Sequence, residues 1–498
     1  MTKSIIIVGA GIAGLSAGCY GQMNGCQTKI FEMHNLPGGL CTSWKRKGYT
    51  FDGCIHWLVG SGPGNSLHRI WQELGALQGR DIVNYEAFMH ITGNNGKTLV
   101  LYTDPDRLER HLKALSPADA GLIEELCDGV RLFARFDPPM DKPRELCGLF
   151  DGLRMIVKIL PFMKAMGKYS KTSIPDFAAR FSDPFLREAL PLALYFEQPY
   201  PMFALLMTLA WMHTGIAGYP IGGSLDLARA IERRYLGLGG EIRYRSRVEK
   251  ILVENGRAEG VRLADGTEHR ADVVISAADG RSTIFDMLDG QYVDEEIRTR
   301  YAEWPVFPPV VQVSLGVERD ISAEPHMVTY LLEEPIAVGG EAHRHLVVKN
   351  YSFDSTMAPA GKSVLQVLFA SNYGTWKELY ADRERYEAEK QAVAIAVIDR
   401  LERRFPGLAD QVEVVDVATP MTTERYTGNW QGSIMAWPTS TETVGKEEMR
   451  RTLPGLEDFY MVGQWVEGGG LPPVVASGRD VIHVICHKDG RPFVTCLP

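Results

Sequence analysis

The sequence is short of the features that would commit it to several large classes of protein. Its eight cysteines (Cys19, Cys26, Cys41, Cys54, Cys127, Cys147, Cys486 and Cys496) include no C-x-x-C pair, which argues against a disulfide scaffold and a zinc site and fits a reducing compartment. Positive charge is in deficit: 53 Lys and Arg stand against 62 Asp and Glu, a net charge of −9, so no global attraction to nucleic acid is expected, though a local basic patch is compatible with it. No apolar run reaches the roughly 20 residues that span a bilayer. The strongest, Met202 to Met212, lies in the uncharged but proline-interrupted stretch from Gln198 to Asp226 and predicts a buried, substrate-facing helix. The first residues enter a strand at once, with none of the regions of a signal peptide, so a cytoplasmic location is expected. No Ser/His/Asp or metal-ligand set occurs at a recognisable spacing, and no internal repeat or low-complexity tract is visible.

With 498 residues, 45% apolar and 23% charged, the chain reads as an ordinary globular protein of two or three domains. Its organising stretch is Ser4 to Glu32. Ile5 to Val8 is a short β-branched run of the kind buried on both faces of a parallel sheet. Gly9, Gly11 and Gly14 follow in G-x-G-x-x-G spacing where strand gives way to helix. There the first glycine permits the turn, the second lets a pyrophosphate approach the backbone, and the third lets helix and strand pack closely. Ala17, Gly18 and Gly21 keep the helix thin. A second strand, Thr28 to Phe31, ends at Glu32, a carboxylate placed to accept from a ribose hydroxyl. Strand, glycines, helix, strand and acid in register predict an adenine-dinucleotide site. Gly38 and Gly39, just beyond the acid, allow backbone amides to approach a diphosphate from a second side.

Residues 65 to about 220 show helical periods and few strand signals, as an insertion would. Within them Leu149, Leu153, Ile156, Leu160 and Met163 form an apolar stripe bordered by Arg154, Lys158, Lys164, Lys168 and Lys171. Either the stripe packs on the core with its lysines solvated, the reading that base rates favour, or it lies on an anionic membrane; Pro161 breaks the helix in both cases. Ser224 is placed to cap a helix carrying Leu225, Ala228, Ile231 and Tyr235 on one face. Strand-like runs follow at Glu241 to Arg245, Val248 to Val253, Ala258 to Leu263 and Ala271 to Ser276, with turns at Asn255-Gly256 and Asp265-Gly266. A second insertion, about 300 to 440, holds four strands (Val310 to Val317, Met327 to Leu332, His345 to Tyr351, Ser363 to Phe369), expected to form one antiparallel sheet. One long helix, from about Lys377 to Arg404, follows and is stopped by Phe405-Pro406-Gly407. The last segment, Gly455 to Pro473 and then Ala476 to Val481, reads as a short strand running into glycines and a small-residue helix, placing a second helix N-terminus at the ligand. The expected fold is α/β, with a Rossmann-like domain built from discontinuous segments (1–65, 220–298 and 450–498), a helical insertion (66–219) and an α+β substrate domain with an antiparallel sheet (299–449).

These motifs together resemble the FAD-dependent phytoene desaturase, carotenoid isomerase and retinol saturase group of the amine-oxidase-like flavoproteins. The likeness rests on the N-terminal fingerprint through Gly39, Phe51-Asp52-Gly53 to His56, and Tyr219-Pro220-Ile221-Gly222-Gly223. It also rests on Ala358-Pro359-Ala360-Gly361-Lys362, Thr419-Pro420 with Glu424 to Asn429, and the C-terminal glycines. The resemblance implies a non-covalent FAD, a hydrophobic tunnel built by the two insertions, a polyene or isoprenoid lipid substrate, and peripheral membrane contact through 149–171. By position, Gly9, Ala10, Gly11, Ala13 and Gly14 would hold the pyrophosphate and Glu32 the ribose. Gly38, Gly39 and Ser43 would follow the diphosphate and ribityl chain, and the backbone of Val248 would meet the adenine. Gly463 and Gln464 would contact the diphosphate, with Gly470, Leu471 and Pro472 near the ring. Gln464 and Glu467 depart from the family pattern, and Glu467 beside the ring is a candidate proton donor or acceptor, against a solvated loop carboxylate. His56 is the second catalytic candidate; it and His213 otherwise read as core histidines.

No second G-x-G-x-x-G follows a strand, so a dedicated NAD(P)H domain is not expected, and electrons would pass through a quinone, oxygen, a partner protein or transient nicotinamide contact. Three readings stay open: a flavoenzyme desaturating, saturating or isomerising an apolar lipid; a flavin oxidase of an amine or other small polar molecule; and a non-catalytic prenyl-lipid escort.

Overall fold

The computed structural model describes residues 2–137, 142–196, 198–444 and 449–498. Strand β1 (Ser4–Val8) lies in the middle of a five-stranded sheet with β2 (Gln27–Phe31), β3 (Glu241–Arg243), β4 (Val273–Ser276) and β5 (Phe459–Met461), in the order β3-β2-β1-β4-β5. Every pairing is parallel. The sheet is covered on both faces, which is why Ile5, Ile6, Ile7 and Val8 are all buried: Ile5 and Ile7 pack under helices, and Ile6 and Val8 against Val248, Ile251, Ala258 and Val261.

Helix α1 (Ile12–Met23) runs between the sheet, α2 (Gly223–Gly237) and α3 (Leu471–Lys488). It is buried from Ile12 through Gly21, and no polar stripe interrupts it because each side has a neighbour. Close approach demands the absent side chains. A Cβ on Gly14 would sit 2.0 Å from the Gly9 carbonyl oxygen, and one on Gly478 of α3 would sit 2.3 Å from that of Ala13. The N- and C-terminal segments therefore meet along α1, where Ser16 Oγ donates to the Val475 carbonyl at 2.7 Å.

The four runs after α2 divide differently from their sequence appearance. The first and last enter the parallel sheet, whereas Val248–Glu254, Arg257–Leu263 and Glu268–Arg270 form a separate antiparallel sheet. Asn255 and Gly256 both take positive φ between the first two of these strands, as a tight hairpin requires.

The substrate-side sheet has seven strands, in the order Val412–Ala418, Val310–Val317, Ser363–Ala370, Glu341–Asn350, Met327–Val338, Ala87–Thr92 and Thr98–Tyr102. The four expected strands are contiguous and antiparallel. The sheet as a whole is mixed, because the hairpin Ala87–Thr92/Thr98–Tyr102 joins it in parallel at Val328↔His90. That hairpin lies in the stretch expected to be helical; its strands are short and only their burial against this sheet holds them extended. The long helix is two, Tyr373–Tyr380 and Arg383–Glu402, with the Asp382 carboxylate capping the second through the amides of Glu384 and Arg385.

The apolar stripe at 149–163 is a correction to the core-packed reading. In the helix Leu149–Ile159 no residue is buried, and Leu149, Phe150, Leu153 and Val157 are 90, 88, 60 and 69% exposed. The chain breaks at Pro161 as expected and resumes in Met163–Tyr169. Phe162 and Tyr169 turn inward onto Phe133, so the stripe faces outward on a fixed base.

Candidate active site

The first wall of the site is the turn from β1 into α1. Gly9 takes φ +97° with its amide bonded to the Phe31 carbonyl at 2.8 Å, and Gly11 is the N-cap residue of α1. A Cβ built on Gly11 meets nothing within 4 Å. The helix start therefore faces open space, while Gly14, one turn on, is walled in. Gly38 bridges to Gly11 and donates to the Ala10 carbonyl at 2.8 Å, and Gly38 and Gly39 both take positive φ. Two glycine turns thus stand side by side at a helix N-terminus, which is the arrangement an extended diphosphate needs.

Glu32 follows β2 and is buried. Its Oε2 accepts from the Ala10 amide and its Oε1 from the His34 amide, each at 2.7 Å. Burial raises its carboxyl above the ordinary range, with the amides of His34, Ala10 and Met33 opposing. The carboxylate so anchored retains lone pairs for a diol. Ser43 is paired with Asp52 in a short hairpin, and Val248 opens the separate antiparallel sheet; both are buried.

The C-terminal wall comes from Gly463 to Pro472. Gly463 has φ +98°, donates to Ser477 Oγ at 2.9 Å, and faces the Ala13 Cβ. Gln464 starts the short helix Gln464–Glu467, Gly470 is the N-cap residue of α3 at φ +97°, and Leu471 and Pro472 are half-buried in its first turn. Glu467 is not a solvated loop carboxylate. It is in charge contact with Arg451 at 2.6 Å, and the same guanidinium, 4% exposed, meets Glu145 at 2.8 Å and Asp480 at 3.4 Å. Arg451→Leu should lower the melting temperature sharply, by about 3 kcal/mol of stability, because it strands these carboxylates. Glu467→Gln should lower it much less, and thermal melts of the two variants check the order.

His56 leaves the hairpin on the other side of the site. Its Nδ1 lies 3.1 Å from Lys349 Nζ, and its ring lies 4.8 Å from that of Tyr195 and 6.3 Å from that of Trp57. Trp57 in turn stacks on Tyr195 and meets Phe88 edge-on. Loop 53–57, the 87–92 strand and the helical insertion so converge on one aromatic cluster, and a second, of Tyr219, Tyr351 and Phe353, is joined to it through Lys349, whose Nζ lies over the Tyr351 and Tyr219 rings. His213, by contrast, ends the helix Met202–His213 as an exposed residue outside this cluster.

Two groups at this junction were not singled out for chemistry from the sequence. Asp52 caps α2 from a distant strand: its Oδ2 accepts from the Ser224 amide and its Oδ1 from the Ser224 hydroxyl, both at 2.6 Å, and Oδ1 also takes the Cys54 and Ile55 amides at 3.0 and 3.2 Å. Ser224 is therefore capped and does not cap; Gly222, at φ +100°, is the N-cap residue. Lys349 is the other, and its only sequence signal is a lone cation at the end of the buried run 346–350.

Residues 12–481 match the family of flavin containing amine oxidoreductases. The chain is 25% identical to a chloroplastic prolycopene isomerase of Arabidopsis thaliana, over 97% of this chain and 83% of the relative. It is 25% identical to a 4,4'-diapophytoene desaturase of Methylomonas, over 98% and 96% respectively. Among solved structures, an oxidoreductase from Methanosarcina mazei shares the fold at a TM-score of 0.58 and 19% identity, covering 96% of this chain and all of that one.

Proposed function

As the chain belongs to the flavin containing amine oxidoreductases and is an FAD-dependent oxidoreductase, we propose that it desaturates, saturates or isomerises carbon-carbon bonds of a polyene or isoprenoid lipid. When bound, FAD supplies hydride exchange with carbon. Gly9, Ala10, Gly11, Ala13, Gly14, Gly38, Gly39, Gly463 and Gln464 hold its diphosphate and Glu32 its ribose. Ser43 and the backbone of Val248 line the rest of the dinucleotide, with Gly470, Leu471 and Pro472 near the ring. The nucleotide domain is taken as 1–65, 220–298 and 450–498, with 66–219 and 299–449 enclosing the substrate.

One observation carries the choice of an apolar substrate. The junction facing the nucleotide loops is aromatic, and its charged groups are already committed: Lys349 to the Ile55 carbonyl and His56, and Asp52 to the start of α2. An amine substrate would be left without a counter-ion there. The near full-length relatives named for carotenoid isomerisation and desaturation support the same substrate class. Against an escort role stands the intact glycine cradle at both ends. The test is to purify the protein, record its absorption spectrum, and identify by mass spectrometry any lipid extracted with it. A colourless protein that FAD does not reconstitute would refute the proposal, and peroxide release with small amines but not polyenes would move it to the oxidase class.

The outward stripe of Leu149, Phe150, Leu153, Ile156, Val157 and Leu160 is the surface by which we take the enzyme to reach its lipid. Arg154, Lys158, Lys164 and Lys171 stand exposed around it, matching an anionic bilayer. Among the described residues no helix is long and apolar enough to cross a membrane, so contact of this kind is interfacial. Replacing Phe150 and Leu153 by Asp should reduce sedimentation with phosphatidylglycerol vesicles at least about tenfold, each side chain being worth more than 1 kcal/mol when inserted. The melting temperature should not change, since neither residue packs on the protein; equal sedimentation of both forms would remove the stripe from the interface.

A further inference from the structure

Lys349 is 1% exposed and forms no ion pair with a carboxylate among the described residues. Its Nζ lies 2.8 Å from the Ile55 carbonyl, 3.1 Å from His56 Nδ1, and 4.4 and 5.4 Å from the ring centres of Tyr351 and Tyr219. A buried ammonium whose direct partners are one carbonyl, one imidazole and two π faces, with the Asp52 and Asp354 carboxylates acting on it without an ion-pair contact, is a costly way to join a strand to a loop. The same position is well suited to an amine that gives its proton up.

Resting on the polyene reading above, we propose that Lys349 is the proton reserve of His56: Lys349 Nζ exchanges a proton with Nδ1 while Nε2 exchanges one with a carbon of the bound substrate. The hydrogen bond from Nζ to Nδ1 sets the tautomer, leaving the ring proton on Nε2, and among the described residues no group bonds to that nitrogen. In the donating direction the Nε2–H and Nζ–H bonds break, a carbon–hydrogen bond forms from the electron pair of a π bond, Nδ1–H forms, and the neighbouring carbon, left short of an electron pair, would take the hydride that reduced FAD supplies when bound. His56 ends neutral in the other tautomer and Lys349 ends as a neutral amine. In the reverse direction a C–H bond breaks, its electron pair becomes the new π bond as hydride leaves the neighbouring carbon, oxidised FAD being the acceptor that would take it when bound, and the proton passes through His56 to Lys349. His56 is then the group that touches substrate, and Lys349 positions it and keeps it supplied.

The surroundings fix where the proton rests. Burial draws Lys349 down to about 7, against the pull of the Asp52 and Asp354 carboxylates. Burial, then Lys349 and His326, holds His56 well below its ordinary value. The other titratable groups facing the pair, Tyr85, Tyr195, Tyr219 and Tyr351, are all raised by burial and stay neutral. His326, stacked on Tyr85, is lowered to about 3. The proton near neutrality therefore belongs to Lys349.

The test uses the FAD-loaded wild type with Lys349→Met, Lys349→Arg and His56→Gln. Without substrate, a lysine that is neutral above about 7 in the fold and only above about 10.4 when unfolded makes the wild type gain melting temperature relative to Lys349→Met as pH rises from 7 to 9.5. With phytoene and prolycopene in liposomes as probes, the wild-type rate should step near pH 7. Lys349→Met should lose about 100-fold at the optimum and lose the step. Lys349→Arg, which cannot release its proton, should not restore the rate. If Lys349→Met does not fold, His56→Gln carries the test: the rate falls while the pH dependence of melting persists. A rate lowered by one factor at every pH and restored by Arg, or a melting difference flat from pH 6 to 9.5, overturns the relay. Failure of the wild type to take up FAD overturns instead the enzymatic reading and the chemical step with it, while the melting arm still reads the Lys349 proton.

Discussion

Gly11→Glu should give a folded protein that no longer binds flavin, whereas Gly14→Val, three residues on, should not fold. The contrast follows from what a side chain would meet. At Gly11 a Cβ points into open space at the start of α1, so the packing of strand, helix and C-terminal segment is untouched and the melting temperature should change little. The new carboxylate fills the approach by which a diphosphate reaches the first-turn amides and adds like charge to it, so FAD affinity should fall at least about 100-fold. At Gly14 the Cβ would lie 2.0 Å from the Gly9 carbonyl oxygen and 3.2 Å from the Ala277 side chain. Neither can retreat, because the Gly9 amide is held by Phe31 and the Ala277 amide by Val8, and a branched side chain at such a contact costs well beyond the usual 1–3 kcal/mol of overpacking. Soluble yield and circular dichroism report the fold, and the visible spectrum after FAD addition reports the site. Flavin binding by Gly11→Glu at wild-type affinity would place the diphosphate elsewhere.

Asp52→Ala should be among the most damaging single changes away from the glycines. One carboxylate, 2% exposed, satisfies the Ser224 amide and hydroxyl and the Cys54 and Ile55 amides. Removing it takes the acceptor from the Ser224 amide and hydroxyl and the Cys54 amide, while the Ile55 amide keeps Ser224 Oγ at 2.8 Å, a loss of about 3–5 kcal/mol given the cost per orphaned group, and it uncaps α2 where the Cys41 thiol meets the Ser224 carbonyl. Its main-chain carbonyl, which accepts from Gln312 and Gln366 of the substrate sheet at 3.1 and 2.9 Å, survives the change. The sheet should therefore remain docked while the 52–56 loop loosens. The melting temperature should fall by many degrees, with Asp52→Asn intermediate because its amide oxygen still accepts. An Asp52→Ala protein melting within about 2 °C of the wild type would show that this cap is not what holds the loop.

The fold was legible where chemistry and spacing coincide. β1, the glycine turn and Glu32 were readable because a buried parallel strand, a positive-φ turn and a terminal acid each restrict residue type at a fixed interval. The four central strands of the substrate sheet were readable for a similar reason, since β-branched runs this long have few alternatives. The hairpin Ala87–Thr92/Thr98–Tyr102 was not, because its strands gain their stability from a sheet edge more than 200 residues further along the chain. The helix at 149–159 misled in the opposite sense: its periodicity correctly marks one apolar face, but periodicity does not say whether protein covers that face.

At the site, the glycines and Glu32 belong to local motifs and could be named from the chain alone. Asp52 and Lys349 could not be given their roles, because those roles exist only across 172 and 293 residues of intervening sequence. Glu467 looked like a free carboxylate in a glycine loop until Arg451 met it.

By itself the sequence determined the glycine turn between β1 and α1, the acid at the end of β2, the run that forms the substrate sheet and the amphipathic character of 149–163. All of these depend on backbone conformation and hydrophobic period, which neighbouring residues dictate. Only the tertiary structure decided which charges are spent and which faces stay open. It set Asp52 under α2, Lys349 against His56 and Glu467 against Arg451, and it left Leu149 to Leu160 uncovered. The energy of a buried charge or an exposed apolar side chain is a property of what surrounds it, and those surroundings come from segments distant in the chain.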